Sequence, residues 1–404
     1  MTNIHQIRTD WLFDGTGGRA RSNMLLTIRN GMFERIEEYR HERVINPSRF
    51  TDLSSPATIL PPLVDCHVHL AWSASTDQRV RKEQQKGTPD QIRRRIAQHI
   101  HHHFIHGILA VRDGGDRAGH GMRHQNNPAP SCEEPVVVKS GPAFCRQGRY
   151  GKGIGQPVQE DESPARAFSR FGTRCDHVKV INSGINSLTS YGRETQPQFT
   201  LAELRALVRH AHRIRKKVMV HANGREPVRL ALEAGCDSLE HGFFMGRDNL
   251  RRMADLQTTW VPTVHAIRAM ADPTPPRLPG IDPEVAKRTL DHQLEQLALA
   301  REFGVRIALG TDAGCPGVLH GEAMVGEIRL FLEAGFPLTT VLRLASIHGA
   351  RLLGLDHDRG IEPGRPAHFL VVRALPALLP ERLTDLQAIY LEGRRRDLKI
   401  LSSH

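Results

Sequence analysis

The chain has 404 residues, 39% of them hydrophobic and 25% charged, with a formal net charge of +11 at pH 7. This composition is typical of a globular enzyme with room for one large and one smaller domain. No apolar run approaches the ~20 residues that cross a bilayer, and the N-terminal residues lack the apolar core of a signal peptide, so we expect a cytoplasmic protein without a membrane partner. The six cysteines form no CxxC pair, which argues against a disulfide framework and against a cysteine zinc site.

The positive charge does not indicate a nucleic-acid partner. The basic residues stand in short separate clusters, at 79–82, 93–95, 213–217 and 394–396, and these alternate with acidic and apolar residues. Because no nucleic-acid recognition motif accompanies them, solvated helix faces account for them. We therefore expect a small-molecule substrate and no nucleic acid, and the charge favours an anionic substrate.

Both ends of the chain predict antiparallel β structure. Near the N-terminus, residues 24–29 have the composition of a strand and run into Asn30-Gly31, a hairpin turn signal. Near the C-terminus, residues 368–372 and 388–393 indicate two further strands. We predict that residues 1–60 and 361–404 form one small β-sandwich domain built from both termini.

Residues 61–360 alternate between strand-like and helical segments. A capping box at 200–203 and Asp282-Pro283 mark helix starts. The histidines at 101–103 precede a strand, so we expect them at a helix end, on the face opposite the chemistry. Eight strands are predicted, at 61–70, 108–113, 136–139, 177–181, 217–221, 238–241, 259–264 and 305–310. Eight β/α units predict an α/β fold of the (β/α)₈ TIM-barrel type.

Polar side chains cluster at the predicted C-terminal ends of these strands, where barrel enzymes place their active sites. His67 and His69 are two residues apart, so on a strand they point to the same face and suit one cation. The other strand ends contribute Lys179, His221, His241 and Asp312. Imidazoles and a carboxylate suit zinc and similar ions, which lower the pKa of bound water. A buried, uncharged lysine would be a nucleophile.

The motifs at 64–69, 218–224, 238–242 and 310–314 resemble the amidohydrolase superfamily of metal-dependent hydrolases. Residues 348–355 and 361–367 extend the resemblance over nearly the whole chain, and Lys179 with its flanking residues is most similar to the imidazolonepropionase-like and prolidase-like branch. The resemblance implies two divalent metals, most plausibly Zn²⁺ with Mn²⁺, Fe²⁺ or Co²⁺ as alternatives. It implies His67, His69 and Asp312 on one metal, His221 and His241 on the other, and carboxylated Lys179 as the bridge.

By the same resemblance, Asp312, Lys179 and His241 take part in catalysis, with Asp312 as the proton shuttle. A metal-bridging hydroxide would attack the carbonyl of an amide or dipeptide-like C–N bond in a small substrate with a free carboxylate. The loop at 141–153 carries arginine and lysine where the family is rich in glycine and histidine. Arg149, Lys152 and Arg193 are therefore candidates for binding the carboxylate, and Tyr191 for binding the scissile carbonyl.

Other functions stay open at this point. One is a mononuclear deaminase-type hydrolase of a heterocycle, in which His67, His69, His221 and Asp312 hold one metal and Lys179 is an ordinary strand residue. A lactonase or phosphotriesterase would use the same binuclear centre, and a barrel that has lost catalysis would serve as a binding protein. A homo-oligomer is expected by analogy alone.

Overall fold

The computed structural model describes residues 4–125, 134–171, 174–272, 280–355, 360–396 and 398. The strands are β1 Ile4–Leu12, β2 Arg21–Arg29, β3 Met32–Glu38, β4 Phe50–Asp52, β5 Thr58–Leu60, β6 Leu63–Val68, β7 Ile108–Asp113, β8 Val136–Lys139, β9 Ala143–Arg146, β10 Gly155–Val158, β11 His177–Ile181, β12 Lys217–Ala222, β13 Ser238–His241, β14 Thr259–Val261, β15 Phe369–Val372, β16 Leu386–Leu391 and β17 Arg394–Arg396. The helices are α1 Gln78–Lys86, α2 Pro89–Ile105, α3 Pro164–Phe171, α4 Leu201–Arg213, α5 Arg225–Glu233, α6 Gly246–Leu256, α7 Val264–Ala271, α8 Pro283–Glu302, α9 Ala323–Glu333, α10 Leu338–Arg343, α11 Gly349–Leu353 and α12 Leu379–Arg382. Among the described residues, no helix combines the length and apolar composition that crossing a membrane requires.

Strands from both ends of the chain share one sheet. Its order is β17-β16-β15-β5-β1-β2-β3, with β4 paired to β1. The β2–β3 hairpin turns at Asn30 and Gly31, whose φ angles of 52° and 82° are both left-handed, as the predicted two-residue turn requires. Residues 399–404 of the predicted C-terminal part lie outside the described residues, and the division into two domains stays a prediction.

The central region is built from parallel strands with helices between them. One sheet has the order β6-β7-β8, and a second has the order β10-β9-β11-β12-β13-β14. The predicted helix starts are confirmed: Thr200 caps α4 through a complete capping box, and the Asp282 side chain caps α8. On α4 the apolar stripe Leu204, Leu207 and Val208 is buried, and each such side chain stabilises the fold by roughly 1.5–3 kcal/mol.

The strands of the parallel region differ from the sequence prediction in several places. The segment at 141–153, expected to be a loop, contains β9, and β10 begins at Gly155 and pairs with it in parallel. The predicted eighth strand at 305–310 is not a regular strand, since only Ile307 forms a bridge, to Trp260. The main chain of this segment nevertheless forms hydrogen bonds with a strand on each side. Ala308 N donates to Trp260 O of β14 at 3.0 Å, and Cys66 N of β6 donates to Leu309 O at 2.9 Å.

The seventh strand is shorter than predicted. It ends at Val261, and α7 begins at Val264 after Thr263 adopts a left-handed φ of 50°. The histidine run lies at the end of α2, as predicted. One histidine earlier in the same helix, however, contacts the main chain just beyond β6. Buried His99 donates through Nδ1 to Leu70 O at 2.8 Å, immediately after the strand that carries His67.

Candidate metal centre

The structure brings the predicted metal-binding side chains together. The ring centroids of His67 and His241 are 4.9 Å apart, those of His221 and His241 are 4.5 Å apart, and those of His67 and His69 are 5.5 Å apart. One ligand atom each of His67, His241 and Asp312 lies within 4.8 Å of the other two. Lys179 Nζ lies 3.0 Å from His67 Nε2. Six side chains from five strand ends therefore face one small buried space.

Each histidine is oriented by a hydrogen bond on the nitrogen that faces away from this space. The acceptors are Glu240 Oε2 for His67 Nδ1 at 2.7 Å, Gly115 O for His69 Nδ1 at 2.9 Å, Thr263 Oγ1 for His241 Nδ1 at 2.7 Å and Gly184 O for His221 Nε2 at 3.2 Å. A carbonyl oxygen only accepts hydrogen bonds, so the outer nitrogens of His69 and His221 carry protons. The inner nitrogens are then unprotonated, which is the form that binds a metal.

Burial keeps these imidazoles neutral. It lowers the pKa of His69 and of His221 to about 3, with the Lys179 ammonium as the next cause. It lowers the pKa of His67 and His241 well below the usual range for the same first reason. At neutral pH the four rings therefore present lone pairs rather than charges to the centre.

Asp312 is the carboxylate of the cluster. Its Oδ1 lies 3.6 Å from Nε2 of both His67 and His69, and it is buried without a hydrogen-bond partner. Cys315 Sγ donates to its Oδ2 at 3.1 Å. A buried carboxylate oxygen without a donor is costly, and a cation among the inner nitrogens would supply its missing partner. The donor set therefore fits a divalent metal.

Two of these residues have left-handed backbones. The φ angles of His241 and Asp312 are 67° and 59°, a conformation that non-glycine residues adopt at an energetic cost. Consecutive residues on a strand point to opposite faces, so the left-handed turn at His241 lets its ring reach the same interior as the preceding Glu240. Strain at these positions is part of how the centre is assembled.

Lys179 is almost completely buried on β11, with 1% of its surface exposed. Burial lowers its pKa to about 8, against the opposing influence of Glu240 and Asp312. A fraction of the lysine is therefore uncharged near neutral pH, and the nucleophilic amine faces the same space as His67 Nε2.

A buried charge network below the centre was not predicted from the sequence. Glu240 accepts from Arg112 Nη2 at 2.8 Å and from Ser238 Oγ at 2.6 Å, while its other oxygen holds His67. Arg112 also donates to Ser238 Oγ and to Cys66 O. One feature of the sequence could have indicated this network. Ser238 and Glu240 are polar residues two positions apart on a strand that is buried throughout, so they share a face.

The four predicted substrate-binding residues lie farther out. Tyr191 packs against Phe244, and the Arg288 guanidinium lies 4.0 Å above its ring. Arg149 donates to Gln196 O, Arg193 is exposed in a turn, and Lys152 lines a cavity of about 880 Å³ beside Trp72 and Arg117. In the described part of the chain, no hydrogen bond, ion pair or ring contact joins these four to the metal-binding side chains. Tyr150, given no role by the sequence, does reach them, with its ring 5.3 Å from that of His221.

Known proteins show the same architecture. The profile of the Amidohydrolase family matches residues 58–393. An uncharacterized protein of Mycobacterium tuberculosis (strain H37Rv) is 24% identical over 344 residues, 83% of this chain and 84% of the relative. The ochratoxinase of Aspergillus niger is 29% identical over 178 residues, 43% of this chain and 36% of that enzyme. The crystal structure of a Xaa-Pro dipeptidase with methionine in its active site is similar, with a TM-score of 0.81 at 24% identity over 98% of this chain and 100% of that one.

These comparisons agree with the geometry. The family profile covers most of the chain, and the fold is an α/β fold of the TIM-barrel type shared with the dipeptidase structure. The predicted superfamily is confirmed, and the prolidase-like branch stays a prediction. The chain belongs to the amidohydrolase family and is a hydrolase that acts on carbon–nitrogen bonds.

Proposed function

We propose that the chain is a binuclear metal-dependent amidohydrolase that cleaves an amide or dipeptide-like bond in a small, carboxylate-bearing substrate. His67, His69 and Asp312 would hold one divalent ion, and His221 and His241 the other. The observation that carries the proposal is the buried Asp312 Oδ1, without a hydrogen-bond donor, facing unprotonated nitrogens of His67 and His69.

Lys179 supports two metals over one. The Lys179 amine lies 3.0 Å from His67 Nε2, among the metal-binding side chains. A site for one metal held by histidines and Asp312 would not need a lysine at this position. Carboxylation of Lys179 would convert this amine into an anion with two oxygens, which is the ligand type that two cations share. The uncharged amine that carboxylation needs is available because burial lowers its pKa. The ions are proposed to be Zn²⁺, with Mn²⁺, Fe²⁺ or Co²⁺ as alternatives.

The bound metals would supply Lewis acidity and a water of lowered pKa at the scissile amide. Asp312 would take the proton of the attacking water and deliver it to the leaving nitrogen. Burial raises the pKa of Asp312 to about 6, a value suited to both accepting and releasing a proton near neutral pH. The outer hydrogen bonds of the four histidines would hold the ligand geometry fixed.

We also propose that the parallel strands close into a barrel through residues 305–313. Supporting this, Asp312 N donates to His67 O at 2.7 Å, and His69 N donates to Ala313 O at 2.7 Å. On its other side the segment bonds to Trp260 of β14. Closure would place Asp312 directly beside the His67 strand. The sandwich form of the terminal sheet stays a prediction.

The test is hydrolysis by protein expressed with added zinc and bicarbonate. Amino acid release is measured from a panel of N-acyl amino acids and dipeptides, before chelation, after it, and after zinc is restored. We expect hydrolysis that chelation abolishes and zinc restores. Hydrolysis that survives complete metal removal would contradict the proposal, and ammonia release from heterocycles in place of amide cleavage would favour the mononuclear deaminase.

A further inference from the structure

Arg81 of α1 is held between the two loops that carry metal-binding side chains. Its Nη1 donates to Ser73 O at 2.8 Å, in the loop that follows His69, and to Gly314 O at 3.1 Å, two residues after Asp312. Its guanidinium lies 5.1 Å from the centre of the Trp72 ring. These contacts fix a cation at the rim of the metal centre.

This cation has no carboxylate partner within the described residues. Its side-chain bonds run through Nη1 to main-chain carbonyls, which leaves Nε and Nη2 available. Asp312 acts on Arg81 electrostatically without forming an ion pair with it. By contrast, the side chain of Arg79 on the same helix is 91% exposed, and its Nε lies 3.8 Å from Asp77 Oδ1. A partly buried guanidinium without an anion is a ready partner for a ligand carboxylate, which it binds through two parallel hydrogen bonds.

Tyr150 lies beside the metal-binding histidines. Its ring is next to that of His221, and its hydroxyl interacts electrostatically with Asp312 and Arg81. Gln198 holds its main chain by donating to Tyr150 O at 2.9 Å. Tyr150 as a residue is 40% exposed, so a substrate can contact it beside His221.

The attachment of Arg81 limits the length of the substrate. Two residues span at most roughly 7 Å between Cα atoms, so Gly314, which Arg81 contacts, lies close to Asp312. A carboxylate bound by Arg81 would be only a few bonds from an amide at the metal centre. This spacing suits a carboxylate on the α-carbon next to the scissile nitrogen.

We propose that Arg81 binds the substrate carboxylate, that Tyr150 contacts the substrate, and that the enzyme acts on N-acyl α-amino acids or dipeptides. This deepens the proposed function and rests on it. It assigns the specificity role to Arg81 in place of Arg149, Lys152 and Arg193.

The direct test compares hippurate with hippuramide, which lacks the carboxylate, on zinc-loaded protein. Binding is measured by calorimetry where the ligand is not hydrolysed, and as KM for its hydrolysis where it is. We expect wild type and Arg79→Met to bind hippurate in preference to hippuramide. Arg81→Met should bind hippurate roughly 10- to 100-fold more weakly, as the loss of a charge-assisted bond implies. Arg81→Lys keeps the charge but cannot form two parallel hydrogen bonds, so its affinity for hippurate should be intermediate. Thermal unfolding and metal content confirm that each variant is intact.

The proposal is overturned if an intact Arg81→Met binds hippurate as well as wild type does, or if wild type binds no hippurate at millimolar concentration. Turnover separates this outcome from failure of the proposed function. If the panel of amides is hydrolysed but Arg81→Met leaves KM for N-acyl amino acids unchanged, only the role of Arg81 is wrong. If zinc-loaded wild type binds hippurate through Arg81 but hydrolyses no amide, the role of Arg81 stands and the amidase proposal fails.

Discussion

Glu240 offers the sharpest test of how the metal centre is supported. It is completely buried and accepts hydrogen bonds from Arg112, Ser238 and His67. Glu240→Gln keeps the size of the side chain but removes the anion and replaces one acceptor oxygen with an NH₂ donor. That donor must face either Arg112 or the Nδ1 of His67. Arg112 then becomes a buried cation without its counter-ion.

The expected cost follows from these contacts. Removing one partner of a buried ion pair typically costs about 3–5 kcal/mol of unfolding free energy. Losing the outer partner of a metal-binding histidine typically weakens metal affinity by about 10- to 100-fold. Both effects should appear in Glu240→Gln. The surface variant Glu226→Gln, which breaks an exposed pair with Arg229, should cost under about 1 kcal/mol.

The assays are guanidinium unfolding of the metal-free protein and zinc competition against a chelator of known affinity. The double variant Arg112→Met/Glu240→Gln should recover part of the stability lost in Glu240→Gln, because it removes the uncompensated charge. The reasoning is refuted if Glu240→Gln unfolds within about 1 kcal/mol of wild type and binds zinc with unchanged affinity.

Two further predictions concern proton chemistry. Asp312→Asn should lower kcat for the preferred amide by roughly 10²- to 10⁴-fold while circular dichroism shows a folded chain, and retention of a tenth of wild-type kcat would exclude Asp312 as the proton shuttle. Burial lowers the pKa of His99 to about 4, below the value of about 6.5 expected in the unfolded chain, so its contribution to stability is complete above pH 6.5 and is lost as the pH falls toward 4. Between pH 7 and 4.5 the unfolding free energy of His99→Gln should therefore fall by about 2 kcal/mol less than that of wild type, measured by urea unfolding at both values. Burial also lowers the pKa of the more exposed His102, so His102→Gln should reduce the pH dependence by less than His99→Gln does. Equal pH dependence of wild type and His99→Gln would contradict this prediction.

Much of the centre could be predicted from the sequence because strand periodicity is local. His67 and His69 share a face by spacing alone, and the strand ends locate His221 and His241. Glu240 was missed because it directly precedes His241, so on a regular strand it would point away from the centre. The left-handed backbone at His241 is a tertiary feature, and it brings both side chains inside.

The substrate-binding residues were harder to predict for a physical reason. Tyr191 and Tyr150 both follow strands within polar, glycine-containing loops, and nothing local decides which loop folds inward. The structure packs Tyr191 on Phe244 and places Tyr150 beside His221. Likewise, β9 and β10 have no clear alternation of apolar residues. They pair with each other in parallel, and β9 also pairs with β11, contacts between segments that are distant in the sequence and that no local pattern indicates.

Lys179 and the five other side chains are proposed to hold two metals. The most direct measurement is elemental analysis of metal per chain, on wild type and Lys179→Ala expressed with zinc and bicarbonate. We expect about two metals per chain in wild type and loss of most of that metal, together with activity, in Lys179→Ala. One metal per chain in wild type, or two metals and full turnover in Lys179→Ala, would contradict this proposal.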